Sequence, residues 1–438
     1  MEFFHLKDKG TSLRTEVIAG ITTFMTMAYI IFVQPMLLSQ IGMDFGAVMM
    51  ATIISSIIAT LIMGLYANYP IALAPAMGEN FLFAYTIVLG MGVAWNKALG
   101  IVFISGLIFV ILTLFRVREA VVNAIPDSLK KSIAAGIGIF ITFIGLQWAG
   151  VIARSPASGV SLGSLNTNYV LLFFIGLFIM FFLIARKIKG AILWGILITA
   201  VIGIPMGIIK FQGVVSSPPS IAPTFFKLDI LGALRWEYIT PIVVLFLLDF
   251  FDTVGTLIGV SSLAGFLKKG KLPKVGKALM ADAVGTVIGS LLGTSTVSSY
   301  IESTTGVSEG GKTGLANIFT ALCFLLAIFF YPLVKAIGGG CSVGEEVYYP
   351  VTAPALVVVG SLMIKTVSNI KWDDVTESIP AFLTLIGIPL TYSISDGMAL
   401  GFISYPIIKL FAGRVREVHP VMWVLFSVFA FRFIVLPT

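Results

Sequence analysis

Long apolar runs separated by short polar punctuation fill the chain from end to end. Most have the length at which a helix crosses the hydrocarbon of a bilayer, about 20 residues, or fewer where the helix is broken. The pattern predicts spans, with soft boundaries, at 17–37, 45–66, 70–90, 97–115, 132–152, 169–185, 190–209, 240–261, 277–293, 295–309, 313–336, 350–367, 377–394 and 397–412. A last run, 420–436, is apolar apart from Ser427 and Arg432 and is read as a helix lying at the interface. The expected fold class is an all-α polytopic membrane protein of about fourteen spans.

Fourteen spans divide into seven and seven: a first repeat over 1–209, a connecting loop with an interfacial helix over 210–239, a second repeat over 240–412, and a terminal segment over 413–438. The third member of each half is irregular. In the first half, Pro75 and Gly78 interrupt the helical ladder in Pro70-Ile-Ala-Leu-Ala-Pro75-Ala-Met-Gly78-Glu79-Asn80-Phe81. In the second, the Thr/Ser run of Gly293-Thr-Ser-Thr-Val-Ser-Ser299-Tyr-Ile-Glu302 reads as extended chain. Irregular backbone at membrane depth is tolerated only where protein or a water-filled cavity surrounds it. Two interruptions in corresponding positions of two halves point to a transport site at the midplane. Each is expected to be a short extended stretch followed by a half-helix, opening near Gly78 and near Ser299. The free N–H groups and positive dipole end of such half-helices suit carbonyls and ring nitrogens of a polar ligand.

Composition agrees with the pattern. Only 11% of the 438 residues are charged, against about 25% in a soluble domain, and mean hydropathy is +1.03. With the N-terminus inside, inner segments hold 21 of the 28 basic residues and outer segments 6, a positive-inside distribution that places both ends of the fourteen-span bundle in the cytoplasm. The inner set includes Arg116, Arg118, Lys268, Lys269, Lys271, Lys312 and Lys409. The net charge of +7 is therefore topogenic, and no nucleic-acid partner is expected. The expected location is the cell (inner or plasma) membrane, with the first span acting as its own insertion signal. Cys323 and Cys341 do not make a disulfide framework. No phosphate-cradling loop is present, so an ion gradient rather than ATP is the expected energy source.

Few acids lie inside the predicted spans: Glu79, Asp249, Asp252, Asp282 and Glu302, with Glu309 and Asp396 near span ends. An intramembrane carboxylate is costly unless paired or hydrated, so each is a functional candidate. Asp249 and Asp252 stand at i, i+3 on the eighth span, which places both on one face. Two carboxyls that close do not easily both ionise, and one that exchanges its proton near neutrality is what a proton-coupled carrier requires. The alternative is a structural acid capped by Thr253 or Thr256. Glu302 can accept hydrogen bonds from an N–H-rich heterocycle, and Asn80 offers donor and acceptor to the opposite edge. Phe81, Phe250 and Phe251 flank these groups and are candidates to stack on a planar ligand. Glu79 is divided between a structural and a functional reading; Asp282 ranks below the others, paired with Lys277 or lining the inner path. His5 and His419 fall in a tail and a terminal loop, so neither a transmembrane histidine relay nor a histidine metal site is expected.

Four stretches carry a resemblance: Ala19-Gly-Ile-Thr-Thr-Phe-Met-Thr-Met-Ala-Tyr-Ile, Gly64-Leu-Tyr-Ala-Asn-Tyr-Pro, Leu247-Leu-Asp-Phe-Phe-Asp-Thr-Val-Gly-Thr and Gly293-Thr-Ser-Thr-Val-Ser-Ser-Tyr-Ile-Glu-Ser. In order and over nearly the whole chain, they are similar to the azaguanine-type permeases of adenine, guanine and hypoxanthine, a branch of the nucleobase–cation and nucleobase–ascorbate symporter superfamily. The resemblance implies a 7+7 inverted repeat. A core domain (15–115 plus 240–336) would move against a gate domain (132–209 plus 350–412), with the gate as a possible homodimer surface. By the resemblance the family's binding groups fall on Asn80, Asp249, Asp252 and Glu302. With the reading of the residues, substrate binding is expected from Asn80, Asp249, Glu302, Phe81, Phe250 and Ser299 and proton coupling from Asp249, Asp252 and Glu302, with no cofactor or metal. The partners would be a purine nucleobase and H⁺, with Na⁺ the less favoured ion. Ala76 departs from the group's usual glycine, where a methyl could tighten the extended stretch.

The mechanism expected is elevator-type alternating access, with protonation of the Asp249/Asp252 pair neutralising the site before it passes the apolar gate. Rival readings are a carrier of uracil, xanthine or a small anion on the same fold, an ion channel, and a membrane-embedded aspartyl protease. Four acids around the site argue against anions, and the protease reading calls for acids on different helices.

Overall fold

The computed structural model describes residues 2–115, 124–156, 158–266, 272–344 and 346–435. Arg116, Arg118, Lys268, Lys269 and Lys271, counted above among the inner charges, lie outside the described residues. Among the described residues, nine helices are long and apolar enough to cross a membrane, and four shorter apolar helices accompany them. In chain order α1 is Leu13–Ser39, α2 Phe45–Ala67, α4 Trp95–Leu114, α5 Asp127–Trp148, α6 Asn168–Ala185 and α7 Ala191–Gly203. The second half has α8 at Trp236–Leu263, α9 Val275–Leu292, α11 Leu315–Gly338, α12 Ala353–Asn369, α13 Val375–Thr391 and α14 Ile394–Phe411. The face of the bundle at which α1 begins is called inner below, and the opposite face outer.

The two irregular spans are broken as expected. Strand β1, Leu73–Pro75, leads into the half-helix α3, Met77–Phe81, which continues as a π-helix over Leu82–Gly90. Strand β4, Val297–Ser299, leads into α10, Ser303–Ser308, with Glu302 as its N-cap. (Two small hairpins lie in outer connections: β2, Ile152–Ser155, with β3, Gly159–Leu162, and β5, Cys341–Val343, with β6, Glu346–Tyr348.) The helices open one residue before Gly78 and four residues after Ser299. β1 and β4 pair antiparallel, Leu73 opposite Ser299 and Pro75 opposite Val297. Ala76 N–H to Thr296 C=O (3.0 Å) and Tyr300 N–H to Ala72 C=O (2.9 Å) extend the ladder. Each interruption thus satisfies the backbone groups of the other, which is how extended chain persists at membrane depth. Proline 75, with no N–H to offer, sits at the end of the strand, and its carbonyl accepts from the Tyr300 hydroxyl at 2.6 Å.

Packing follows the repeat. α4 packs on α9 as α11 packs on α2, and α1 on α11 as α8 on α4. In the other group α5 packs on α12, α5 on α13 as α12 on α6, and α6 on α7 as α13 on α14. Glycine permits the closest approaches: a Cβ on Gly306 of α10 would strike the Ala19 carbonyl of α1, and one on Gly314 would strike the backbone of Gly64.

The run 420–436, read above as interfacial, is the terminal helix α15, Pro420–Val435. It runs antiparallel along α14: Phe429 meets Phe402 (5.4 Å between ring centroids), and Arg432 bonds Asp396 at 2.6 Å. Phe431 reaches Trp236 at the outer start of α8. Helix α15 is one of the shorter apolar helices, and its one charged side chain, Arg432, is paired with Asp396 of α14.

Candidate functional site

Around the β1–β4 crossing the helices α3, α8, α9 and α10 gather five carboxyls. Asp249 is fully buried; its Oδ2 accepts from the Thr286 hydroxyl at 3.0 Å. Asp282 is fully buried as well, and its Oδ2 accepts from Thr253 Oγ1 (2.5 Å), Ser299 N–H (2.9 Å) and Ser299 Oγ (3.1 Å). The remaining oxygens, Asp249 Oδ1 and Asp282 Oδ1, are buried and have no hydrogen-bond partner.

Asp249 and Asp252 take different partners. The i, i+3 spacing sets Asp249 and Asp252 about 60° apart around α8. That turn is enough to send Asp249 toward Thr286 of α9 and Asp252 toward Ser298 of β4. Asp252 is exposed, accepts from Ser298 Oγ at 3.1 Å, and shares an exposed stripe with Gly255 and Gly259. Half-buried Glu302 lies beside it, its Oε1 accepting from the Tyr29 hydroxyl at 3.0 Å. Glu79 is buried close to Asp252, Asp249 and Asp282. Among the described residues no Lys or Arg forms an ion pair with any of the five.

On the outer side of the crossing the polar groups are amides and hydroxyls. Gln34 of α1 donates from Nε2 to Thr294 Oγ1 (3.0 Å) and Ser295 Oγ (3.1 Å), and Ser295 in turn donates to Asn80 Oδ1. All four residues are fully buried, and Asn80 Nδ2 has no partner. Beyond them stands an aromatic layer. Phe81 stacks on Tyr85 (5.8 Å) with Trp148 6.1 Å away, and Tyr392 packs on Phe140 (5.4 Å). Trp148 Nε1 donates to the Tyr85 hydroxyl (3.0 Å), which donates to Gln40 (3.1 Å).

Three expected ligand contacts are occupied by protein. Phe81 is fully buried between its aromatic neighbours, and Phe250 packs against Phe109 (5.5 Å) and Phe246 (5.8 Å) on the side facing α4. Neither ring has a face free. Ser299 spends both its N–H and its hydroxyl on Asp282. Asp282 does not pair with Lys277, whose ammonium sits over the Tyr66 ring at 4.6 Å. Tyr29 and Gln34 were missed by the sequence reading. Gln34 had a signal: an amide inside the apolar run Ile30-Ile-Phe-Val-Gln34-Pro35 is costly in a bilayer unless it has work to do.

A charged site of half-helices inside a two-group bundle defines a membrane carrier, and the comparisons agree. The fold is shared with the transmembrane domain of a cyanobacterial bicarbonate transporter, BicA (TM-score 0.66, 16% identity, covering 88% of this chain and 97% of that one). A family model described as Permease family matches residues 14–400, and the chain belongs to that family. Among relatives, the guanine/hypoxanthine permease PbuG of Bacillus subtilis is 44% identical over 99% of both chains. The adenine permease AdeP of Escherichia coli is 42% identical over 98% of this chain and 95% of its own. The chain is a permease.

Proposed function

We propose that this permease imports purine nucleobases together with protons. The observation that carries the reading is a cluster of five carboxyls, ion-paired with no Lys or Arg among the described residues, at the meeting point of two half-helices. Such a site suits a neutral ligand rich in N–H groups and repels small anions. Full-length relatives named for guanine, hypoxanthine and adenine supply the ligand class. Glu302 and Asp252, the two most accessible of the five, take N–H groups of the base; Asn80 takes an acceptor on its other edge. The fully buried Asp249 and Asp282 carry the coupled proton.

Movement of the α1–α4 and α8–α11 group against α5–α7 and α12–α14 would carry the neutralised site past the apolar gate, since an unpaired charge would cross at far greater cost. The protease reading loses the argument used against it, because the buried acids Asp249 and Asp282 do lie on different helices. Permease relatives along the whole length now weigh against it instead. Competition of radiolabelled hypoxanthine uptake by adenine, guanine, xanthine, uracil and bicarbonate tests the reading. Competition by purines alone supports it; inhibition by bicarbonate or uracil but by no purine overturns it.

A further inference from the structure

Gln34 makes no hydrogen bond to an acid, yet it is fully buried and commits both N–H groups of its amide, while its Oε1 has no partner. Its contacts fix the direction of a chain of hydrogen bonds. Because Ser295 Oγ accepts from Gln34, the single hydroxyl hydrogen of Ser295 is free to go to Asn80 Oδ1, and there it goes. The Asn80 carboxamide is thereby held with its oxygen used and its Nδ2–H₂ unpartnered, inside a fully buried side chain. An unpaired buried amide costs about 1–3 kcal/mol, so the native site keeps it for something that accepts. Reversal of the chain, with Gln34 accepting from Ser295, would turn Asn80 over and present a carbonyl instead.

We propose that Gln34 is a positioning residue that acts through Ser295 to hold Asn80 as a hydrogen-bond donor, so that the site selects ligands presenting an acceptor, a carbonyl oxygen or an unprotonated ring nitrogen, to that edge. The inference rests on the nucleobase reading and deepens it: Asn80 supplies a donor complementing the acceptors that the carboxyls supply. A substitution at Gln34 then weakens binding only by way of Asn80, and leaves the motion of the carrier alone.

Hypoxanthine uptake in Gln34→Leu, Asn80→Ala and the double variant tests this. Gln34→Leu is expected to raise KM about three- to tenfold, the net worth of one neutral hydrogen bond, with maximal rate within twofold of the parent. In the Asn80→Ala background it should add nothing. Equal KM increases in both backgrounds, or an unchanged KM in Gln34→Leu, overturn the inference. Should Gln34→Leu fail to reach the membrane, Ser295→Ala interrupts the same relay and is read by the same two criteria. The unsubstituted protein is the control that separates the two claims. If it takes up no purine, the nucleobase reading fails; if it does and Gln34→Leu matches it, only the role of Gln34 fails.

Discussion

The two sides of the β1–β4 crossing are built from related segments and end in opposite conditions. Outward, Gln34, Asn80 and Ser295 are sealed behind the rings of Phe81, Tyr85, Phe140, Trp148 and Tyr392. Inward, Asp252 is exposed, Glu302 is half-buried, and glycines at 255 and 259 leave the wall of α8 bare. Amides and hydroxyls can be shut away once they bond one another, whereas several carboxyls without cations need water or shared protons. The asymmetry teaches that amides and hydroxyls bonded to one another are buried here, while two of the five acids stay accessible.

The largest expected effect follows from the buried pair, Asp249 and Asp282. Asp282→Asn should abolish uphill accumulation driven by a proton gradient while leaving exchange of external for internal base measurable by counterflow. Intact accumulation would detach the pair from coupling. Tyr29→Phe removes the hydroxyl that orders Glu302. A hydrogen bond to a charged group is worth about 1.5–3 kcal/mol, so KM for hypoxanthine should rise by about tenfold or more. Tyr85→Phe strips the outer layer of both its hydrogen bonds. Labelling of a cysteine placed at Ala84 by an impermeant maleimide from outside should become several-fold faster, and an unchanged rate would mean that ring packing alone forms the seal.

The smallest effect concerns the inner end of the gate group. There fully buried Lys409 bonds Glu377 (3.0 Å) and Glu417 (2.8 Å), while Arg414 holds Glu417 (2.7 Å) and Asp374 (2.8 Å). The Arg414 guanidinium, with Lys409, holds the Glu417 carboxyl down to about 2. A carboxyl lowered on folding stabilises the fold above its ordinary range near 4.5, and that contribution fades as pH falls toward about 2. Glu417 is exposed and screened, so the effect is modest. The melting temperature of Glu417→Gln should lie below the parent's above about pH 5 and converge with it in acid.

Much of the fold was legible, because bilayer thickness and breaker residues are local signals. Pro75, Gly78 and the Thr/Ser run marked the two interruptions, and the acids marked the site. What could not be read were contacts between distant segments. Spacing along α8 set Asp249 beside Asp252, but it could not show that Asp249 accepts from Thr286 of α9 and Asp252 from Ser298 of β4. Lys409, counted among the inner basic residues, is buried because its partners Glu377 and Glu417 arrive from other elements. For Arg432 the partner is Asp396, on the neighbouring helix α14. Phe250 looked like a stacking ring only because it adjoins Asp249 in sequence; on a helix, neighbours in sequence face about 100° apart.

The most direct test of the central claim is hypoxanthine uptake into proteoliposomes under an imposed proton gradient, comparing the parent with Glu302→Gln. The account predicts gradient-driven uptake by the parent that is abolished by a protonophore, and a fall of about ten- to a hundredfold in Glu302→Gln, the worth of hydrogen bonds to a charged acceptor. Uptake indifferent to the gradient, or undiminished in Glu302→Gln, would contradict it.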